Sequence, residues 1–331
     1  MSKSDDSPTL KGWNTYWQGT GDIGAYSSGG VNHPAILTFW NEFFRAAQEN
    51  YDAPKLIDIA TGNGAVVERA LEVLGSENSH VTCIDVAAAA IDNVHDRFPG
   101  VRGIVADARS IPLDDGAYDI ATSQFGVEYA GFEAIDEAAR LVADGGQLAL
   151  LLHIDGGSVH KECEDSLAAI ASLQESKFIP LSREVFRTGF DAVRGADRAP
   201  YEAAGKQLAP AVRAAESIIG QYGEHVAGDT VARLYYDVGR IHSKIQNYEP
   251  TEVLDWLSRM DGELEAYAER MSSMCEAAID RESFDRICEN LSGQGFKLER
   301  ADPLVPTGED RALAWALIAT RCSATLRVGA G

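Results

Sequence analysis

The sequence predicts a doubly wound α/β fold, on three observations. Short apolar strand patterns alternate with amphipathic helical patterns between residues 55 and 153. The first strand, KLIDI, runs into a turn of small residues, ATGNGA, at 60–65. The second, VTCID at 81–85, ends on a carboxylate. Strands that each feed a helix pair in parallel and are buried on both faces, and ligands of such sheets gather at the carboxyl ends of the strands.

Each element follows from its own pattern. Residues 12–33, rich in Gly and Ser, read as an ordered loop rather than a linker because they carry Trp13, Tyr16, Trp17 and Tyr26. Asn32 suits an N-cap beside Pro34, opening the helix PAILTFWNEFFRAAQ. After KLIDI come a helix from about Ala65, VTCID, the helix AAAIDNVHDRF, the strands VRGIVA and YDIATS, the helix FEAIDEAARLV and the strand GQLALLLH. The alternation then stops for roughly 130 residues, too long for a plain connection, so this stretch is expected to form helical structure of its own. Its clearest piece follows Pro250 and Thr251, where Val253, Leu257, Met260, Leu264, Tyr267, Met271 and Met274 recur at steps of four and three. That stripe reads first as an internal packing seam; dimerisation or substrate contact are the lesser readings. A helix SFDRICENL ending at Gly293 and two strands, GFKLERADPL and ALAWALIATRC, resume the sheet. The expected divisions are an N-terminal lid segment and helix (1–50), a ligand-binding core (51–155), a helical cap (156–290) and the last two strands (291–331).

Composition narrows the function. Hydrophobic residues make up 45% of 331, enough for a sizeable core, and no apolar run approaches the roughly 20 residues that would span a bilayer. The polar, acidic start MSKSDDSPTLKG lacks signal-peptide features, so a cytoplasmic location is expected. Lys and Arg number 29 against 51 Asp and Glu, and a net charge of −22 without a basic patch disfavours nucleic acid as a partner. The five cysteines are scattered and never form a C-x-x-C pair, so neither disulfides nor a metal site is expected.

The turn at 60–65 leaves two ligand classes open. In a dinucleotide site a third glycine allows close helix packing, but Val67 stands there; no Gly-Lys-Ser/Thr follows, which sets a Walker A loop aside. Asp85 suits a ribose diol with either ligand. The ordered set DIATGNG (58–64), CIDVA, ADARSIPLDDGAYD, SQFGVEY and LVADGGQLALLL resembles the class I S-adenosylmethionine-dependent methyltransferases, in the branch acting on small molecules, over about 100 residues. The resemblance implies a Rossmann-like, mostly parallel seven-stranded sheet with helices on both faces and a large helical cap inserted after the fifth strand. It implies S-adenosylmethionine as the cofactor and a methyl acceptor at O, N or S of a metabolite. Gly62 and Gly64, with Ala60, would let the backbone approach the methionyl end, and Asp58 would orient the turn or reach the amino group. Asp85, with Val86 beside it, would hold the ribose hydroxyls, Asp107 the adenine amino group and Ala108 the ring, and Ser123 or Gln124 would lie beside the sulfonium.

SQFGVEY lacks the Asn-Pro-Pro-aromatic run of amino-methylating enzymes and the Pro-Cys of cytosine-C5 enzymes. The alternatives kept are a protein or tRNA methyltransferase and a non-catalytic cofactor-binding protein. Aligning an acceptor behind a reactive methyl group can supply about 7–11 kcal/mol, and a base is needed only when the acceptor arrives protonated. His153, closing the fifth strand, is the candidate base; capping that strand is its structural alternative. Glu128 is a second candidate and Tyr129 a substrate contact; His160 is weaker. Tyr26 and His33 are candidate pocket residues, and Arg233, Tyr236 and Arg240 are candidates for an acidic or phenolic substrate or else a solvated helix face. A homodimer is compatible with the apolar stripe.

Overall fold

The computed structural model describes Trp17, residues 33–77 and residues 79–323. In chain order the elements are α1 (Pro34–Asn50), β1 (Lys55–Ile59), α2 (Ala65–Leu74), β2 (His80–Asp85), α3 (Ala88–Arg97), β3 (Arg102–Val105), β4 (Tyr118–Gln124), a 3-10 turn (Val127–Ala130), α4 (Phe132–Leu141) and β5 (Val142–Leu152). There follow α5 (Ser158–Glu175), α6 (Phe178–Val193), α7 (Ala199–Tyr222), α8 (Thr230–Ser243), α9 (Pro250–Ala277), α10 (Arg281–Gly293), β6 (Phe296–Leu304) and β7 (Ala314–Arg321).

The chain divides into two compact units, one comprising residues 1–161 and 273–331 and the other residues 162–272. The first holds a seven-stranded sheet of order β3-β2-β1-β4-β5-β7-β6. The pairs β1–β2, β2–β3, β1–β4 and β4–β5 are parallel, whereas β7 lies antiparallel between β5 and β6. Alternate strand residues supply two cores, as a two-sided sheet requires. Ile57, Ile59, Leu148 and Leu150 pack with Ile135, Phe284 and Ile287 of α4 and α10, while Leu56, Ile120, Ala149 and Leu151 pack with Phe44, Val67 and Val94 of α1, α2 and α3. The order reverses between β1 and β4, and at such a switch point the flanking loops part to leave a crevice.

The first helix, α1, begins at Pro34, where the sequence placed it, and only its cap differs. Asn32 lies outside the described residues, and the cap is His33, whose Nδ1 accepts from the Ala35 amide at 3.2 Å. β5 also starts earlier than expected, at Val142, with no loop between it and α4.

The sheet resumes after the insertion because its two ends are stapled side by side in the first unit. The Ile279 amide donates to the His153 carbonyl at 2.8 Å, the Asp155 amide donates to the Ile279 carbonyl at 3.1 Å, and Trp315 Nε1 donates to that same carbonyl at 2.8 Å. The second unit is helical around its own core, in which Val253, Leu257, Met260 and Leu264 of the α9 stripe join Phe178, Phe186, Leu234 and Val238. The four-and-three periodicity is therefore a packing seam. All five cysteines are free thiols, and no helix among the described residues is long and apolar enough to cross a membrane.

Candidate active site

The loops at the switch point are tied together by short polar side chains. Asp58, 1% exposed, accepts from Thr61 Oγ1 at 2.6 Å and from Thr122 Oγ1 at 2.8 Å, joining the turn after β1 to β4. Burial pushes the Asp58 carboxyl up to about 7, with the two hydroxyls pulling it down and the Asp85 charge pushing it further up. Ser123 Oγ donates to the Ile59 carbonyl at 2.7 Å and accepts from the Val127 amide at 3.2 Å, so it staples the ends of β1 and β4. Just past these strand ends, Ala60 (φ 54°) and Phe125 (φ 52°) both sit in the left-handed region. Such backbone costs on the order of 1–3 kcal/mol per residue and concentrates at functional sites.

Gly62 and Gly64 are bare for reasons the sequence did not reveal. A Cβ on Gly62 would lie 2.8 Å from Cζ2 of Trp17, and one on Gly64 would lie 3.0 Å from a Val94 methyl; both residues also have positive φ. The bareness of this turn therefore serves packing within the protein. A bulky substitution at either position would disturb the turn whether or not a ligand approaches it.

Asp85 closes β2 with its carboxylate turned towards the turn. Oδ2 accepts from the Gly62 amide at 2.9 Å and Oδ1 from the Ala87 amide at 2.8 Å. Burial raises its pKa and these backbone donors oppose the rise. Each carboxylate oxygen has a further lone pair, which suits the two hydroxyls of a ribose. Val86, next in sequence, is 46% exposed, an apolar ledge beside that carboxylate. Asp107 is half-buried and gripped by Arg109, whose guanidinium lies 2.6 Å from Oδ2 and holds the carboxyl below its usual range; Ala108 beside it is buried. Asp85 and Val86 are of the kinds that could hold an adenosine's ribose and base, while the Asp107 carboxylate, two residues past β3, is engaged by Arg109.

The densest chemistry lies beyond β4 and β5. Glu128, in the 3-10 turn, and His153, after β5, have side chains 1% and 2% exposed. His153 Nδ1 lies 2.6 Å from Glu128 Oε1, and the same oxygen accepts from the His153 backbone amide at 2.8 Å. The ring of Phe125 lies 4.6 Å from the imidazole, and Tyr129 meets it edge-on at 5.5 Å. Glu128 Oε2 is buried without a hydrogen-bond partner. A buried polar atom left this way is costly, and in a native site it marks a place where a ligand group or an ordered water belongs.

The remaining candidates are dispersed. Gln124 is engaged by Trp40 Nε1. His33, besides capping α1, contacts Glu309 at 3.3 Å, and Tyr26 lies outside the described residues. His160 lies near Asp155, at 3.5 Å. In the second unit, Arg233 pairs with Glu263 at 2.9 Å, Tyr236 donates to Glu224 at 2.7 Å and Arg240 pairs with Asp237 at 2.8 Å. All three are exposed, which is the solvated-face alternative of the sequence reading. Two surface clefts, about 670 and 470 Å³, lie elsewhere, one flanking α1 and one at the amino ends of β1–β3. Ligands of doubly wound sheets bind at the opposite, carboxyl ends, so the chemistry of the side chains, not cleft size, locates the site. Sequence reasoning missed Thr61, Thr122 and Phe125, whose roles depend on contacts between β1 and β4, and it took Trp17 only as one of the aromatics that mark an ordered loop.

Residues 56–146 match the family model described as "Methyltransferase domain". An uncharacterized methyltransferase of Schizosaccharomyces pombe is 27% identical over 140 residues, 42% of this chain and 53% of that protein. The ubiquinone/menaquinone biosynthesis C-methyltransferase of Methylobacterium nodulans is 36% identical over 110 residues, 30% of this chain and 43% of that protein. The chain thus spans about half the length of these curated relatives. Among solved structures, the geranyl diphosphate C-methyltransferase of Streptomyces coelicolor aligns at 18% identity with a TM-score of 0.35, covering 45% of this chain and 66% of that one. The matched segment coincides with the glycine turn, the strand-end carboxylates and the switch point, and the chain therefore carries a class I S-adenosylmethionine-dependent methyltransferase domain.

Proposed function

We propose that the protein methylates a small metabolite whose accepting oxygen or carbon arrives protonated, with His153 as general base and Glu128 as the carboxylate that orients it. The observation that carries this reading is the buried Glu128–His153 pair at the carboxyl ends of β4 and β5. The C-methyltransferase among the relatives adds carbon to the acceptors considered, whereas an amine or thiolate acceptor needs no base at the moment of attack.

The residues divide the work. S-adenosylmethionine, when bound, supplies an electrophilic methyl group. Asp85 accepts the ribose hydroxyls while Gly62 and Ala87 hold its carboxylate in place. Glu128 takes the Nδ1 proton side of His153 in a charge-assisted hydrogen bond, which fixes the tautomer so that Nε2 receives the acceptor's proton. The imidazolium so formed is stabilised by the same carboxylate. The imidazole's backbone is held on both sides, by Glu128 at its amide and by Ile279 at its carbonyl. Phe125 and Tyr129 flank the ring and exclude water from it.

The test is transfer of a labelled methyl group from S-adenosylmethionine to a panel of phenols, 1,3-dicarbonyl compounds, amines and thiols. Transfer to the first two classes is expected. His153→Ala should lower kcat by roughly 10²–10⁴ while affinity for S-adenosylhomocysteine stays within about threefold. Full turnover by His153→Ala would end the assignment of a base; lost cofactor affinity would make the residue a structural support; and no transfer to any class would favour a binding protein or a macromolecular acceptor.

A further inference from the structure

We propose that Trp17 is a positioning residue for the cofactor's ribose, its indole sealing the hydrogen bonds by which Gly62 and Ala87 aim the Asp85 carboxylate. The inference rests on the reading of Asp85 as the ribose ligand and extends it to a residue outside the sheet and its motifs.

The geometry converges on that carboxylate. Trp17 is 9% exposed and packs in a cluster with Ala87 and Ala90, flanked by Ala89. Its six-membered ring also occupies the space over Gly62 that any side chain there would fill, with Cζ2 and Cη2 at 2.8 and 3.0 Å from the position of a Cβ. Gly62 and Ala87 are the two residues whose amides grip Asp85, at 2.9 and 2.8 Å. The indole therefore lies against both donors. Charge-assisted hydrogen bonds strengthen where water is excluded and weaken where water competes for the donor.

The placement of Trp17 is registered by α3. Asn93 Nδ2 donates to the Trp17 carbonyl at 2.8 Å and to Asn63 Oδ1 at 2.9 Å, so one amide group ties residue 17 to the glycine turn. Arg97 holds the Asn63 carbonyl from the next turn of the same helix and pairs with Glu68 at 2.9 Å. The turn, the carboxylate and residue 17 thus share a single scaffold. Losing the indole would open a void beside both amides, admit water and release the carboxylate to other rotamers, which a ribose diol would then have to reorder on binding.

The experiment is calorimetric titration of S-adenosylhomocysteine into the wild-type protein, Trp17→Ala, Trp17→Phe, Asp85→Asn and the Trp17→Ala/Asp85→Asn double variant, with amide exchange followed at Gly62 and Ala87 in the ligand-free proteins. Trp17→Ala should bind about tenfold more weakly and exchange faster at both amides, while Trp17→Phe, which keeps a ring over Gly62, should stay within about threefold. In the Asp85→Asn background the Trp17→Ala loss should shrink below about twofold, because the carboxylate it acts through is gone. A Trp17→Ala affinity within twofold of wild type, or an undiminished loss on Asp85→Asn, overturns the proposal. Should Trp17→Ala melt well below wild type, Trp17→Leu carries the same arms with more of the void filled. A wild-type protein that fails to bind overturns the cofactor reading along with this one, whereas wild-type binding with an indifferent Trp17→Ala overturns this one alone.

Discussion

Asp58→Asn should change the way stability responds to pH. Asp58 is 1% exposed, and burial raises its carboxyl from 3.8 to about 7, against the pull of the Thr61 and Thr122 hydroxyls. Between those two values the folded chain holds a proton that the unfolded chain has released, so stability falls as pH rises through the window, and the loss is complete above the folded value. At 1.36 kcal/mol per factor of ten in the proton equilibrium, the full interval corresponds to an upper bound of roughly 4 kcal/mol. An asparagine side chain at this position nearly preserves the shape and stays neutral, while one of the two hydroxyls must reverse its hydrogen bond to accept from the new amide. Roughly 1.6 kcal/mol of that bound is already lost at pH 5 and nearly all of it by pH 8.5, so the advantage of Asp58→Asn over the wild type should grow by about 2–3 kcal/mol between those two pH values. Urea unfolding of both proteins at the two pH values reads this directly. A stability difference that is the same at pH 5 and pH 8.5 would refute the argument, since it would mean that Asp58 does not change ionisation in this range.

Two further outcomes are expected. Asp85→Ala should weaken S-adenosylhomocysteine binding by at least about tenfold, because the ribose loses its acceptor and the Gly62 and Ala87 amides lose theirs; calorimetry on the folded variant checks it, and unchanged affinity would remove the assignment. Arg233→Ala and Tyr236→Ala should alter global stability by no more than about 0.5 kcal/mol, since exposed pairs contribute little; a loss of acceptor turnover in either variant with stability intact would restore these residues as substrate contacts.

The ordered set DIATGNG, CIDVA and ADARSIPLDDGAYD was enough to read a mostly parallel sheet and to put the candidate site at its carboxyl ends, because each is a local pattern: a strand, its terminal residue and the turn after it. A carboxylate at the end of a parallel strand can be recognised without knowing its neighbours. The partner of His153 could not be, although both members of the pair were singled out. Glu128 and His153 meet only because β4 and β5 lie side by side in the sheet, with Ser123 opposite Leu150 and Gln124 opposite Leu151. The helical substrate candidates show the converse. Arg233, Tyr236 and Arg240 read equally as a recognition face or a solvated helix face, and the tertiary structure gives each an acidic partner on the protein's own surface.

What the sequence by itself determined was the mostly parallel α/β class of the sheet, the strand ends at which a ligand is expected and the helical character of the insertion, all consequences of period and punctuation along the chain. What only the tertiary structure decided was what each special residue does there. The glycines read as clearance for a cofactor are also clearance for Trp17 and Val94. Asp58, read as orienting the turn or reaching the amino group, ties the turn to Thr61 and Thr122. His153 acquires an orienting carboxylate. The physical reason is the same in each case: a turn or strand end forms from residues adjacent in sequence, whereas the burial, hydrogen bonds and charges that set a side chain's chemistry come from segments that folding alone brings together.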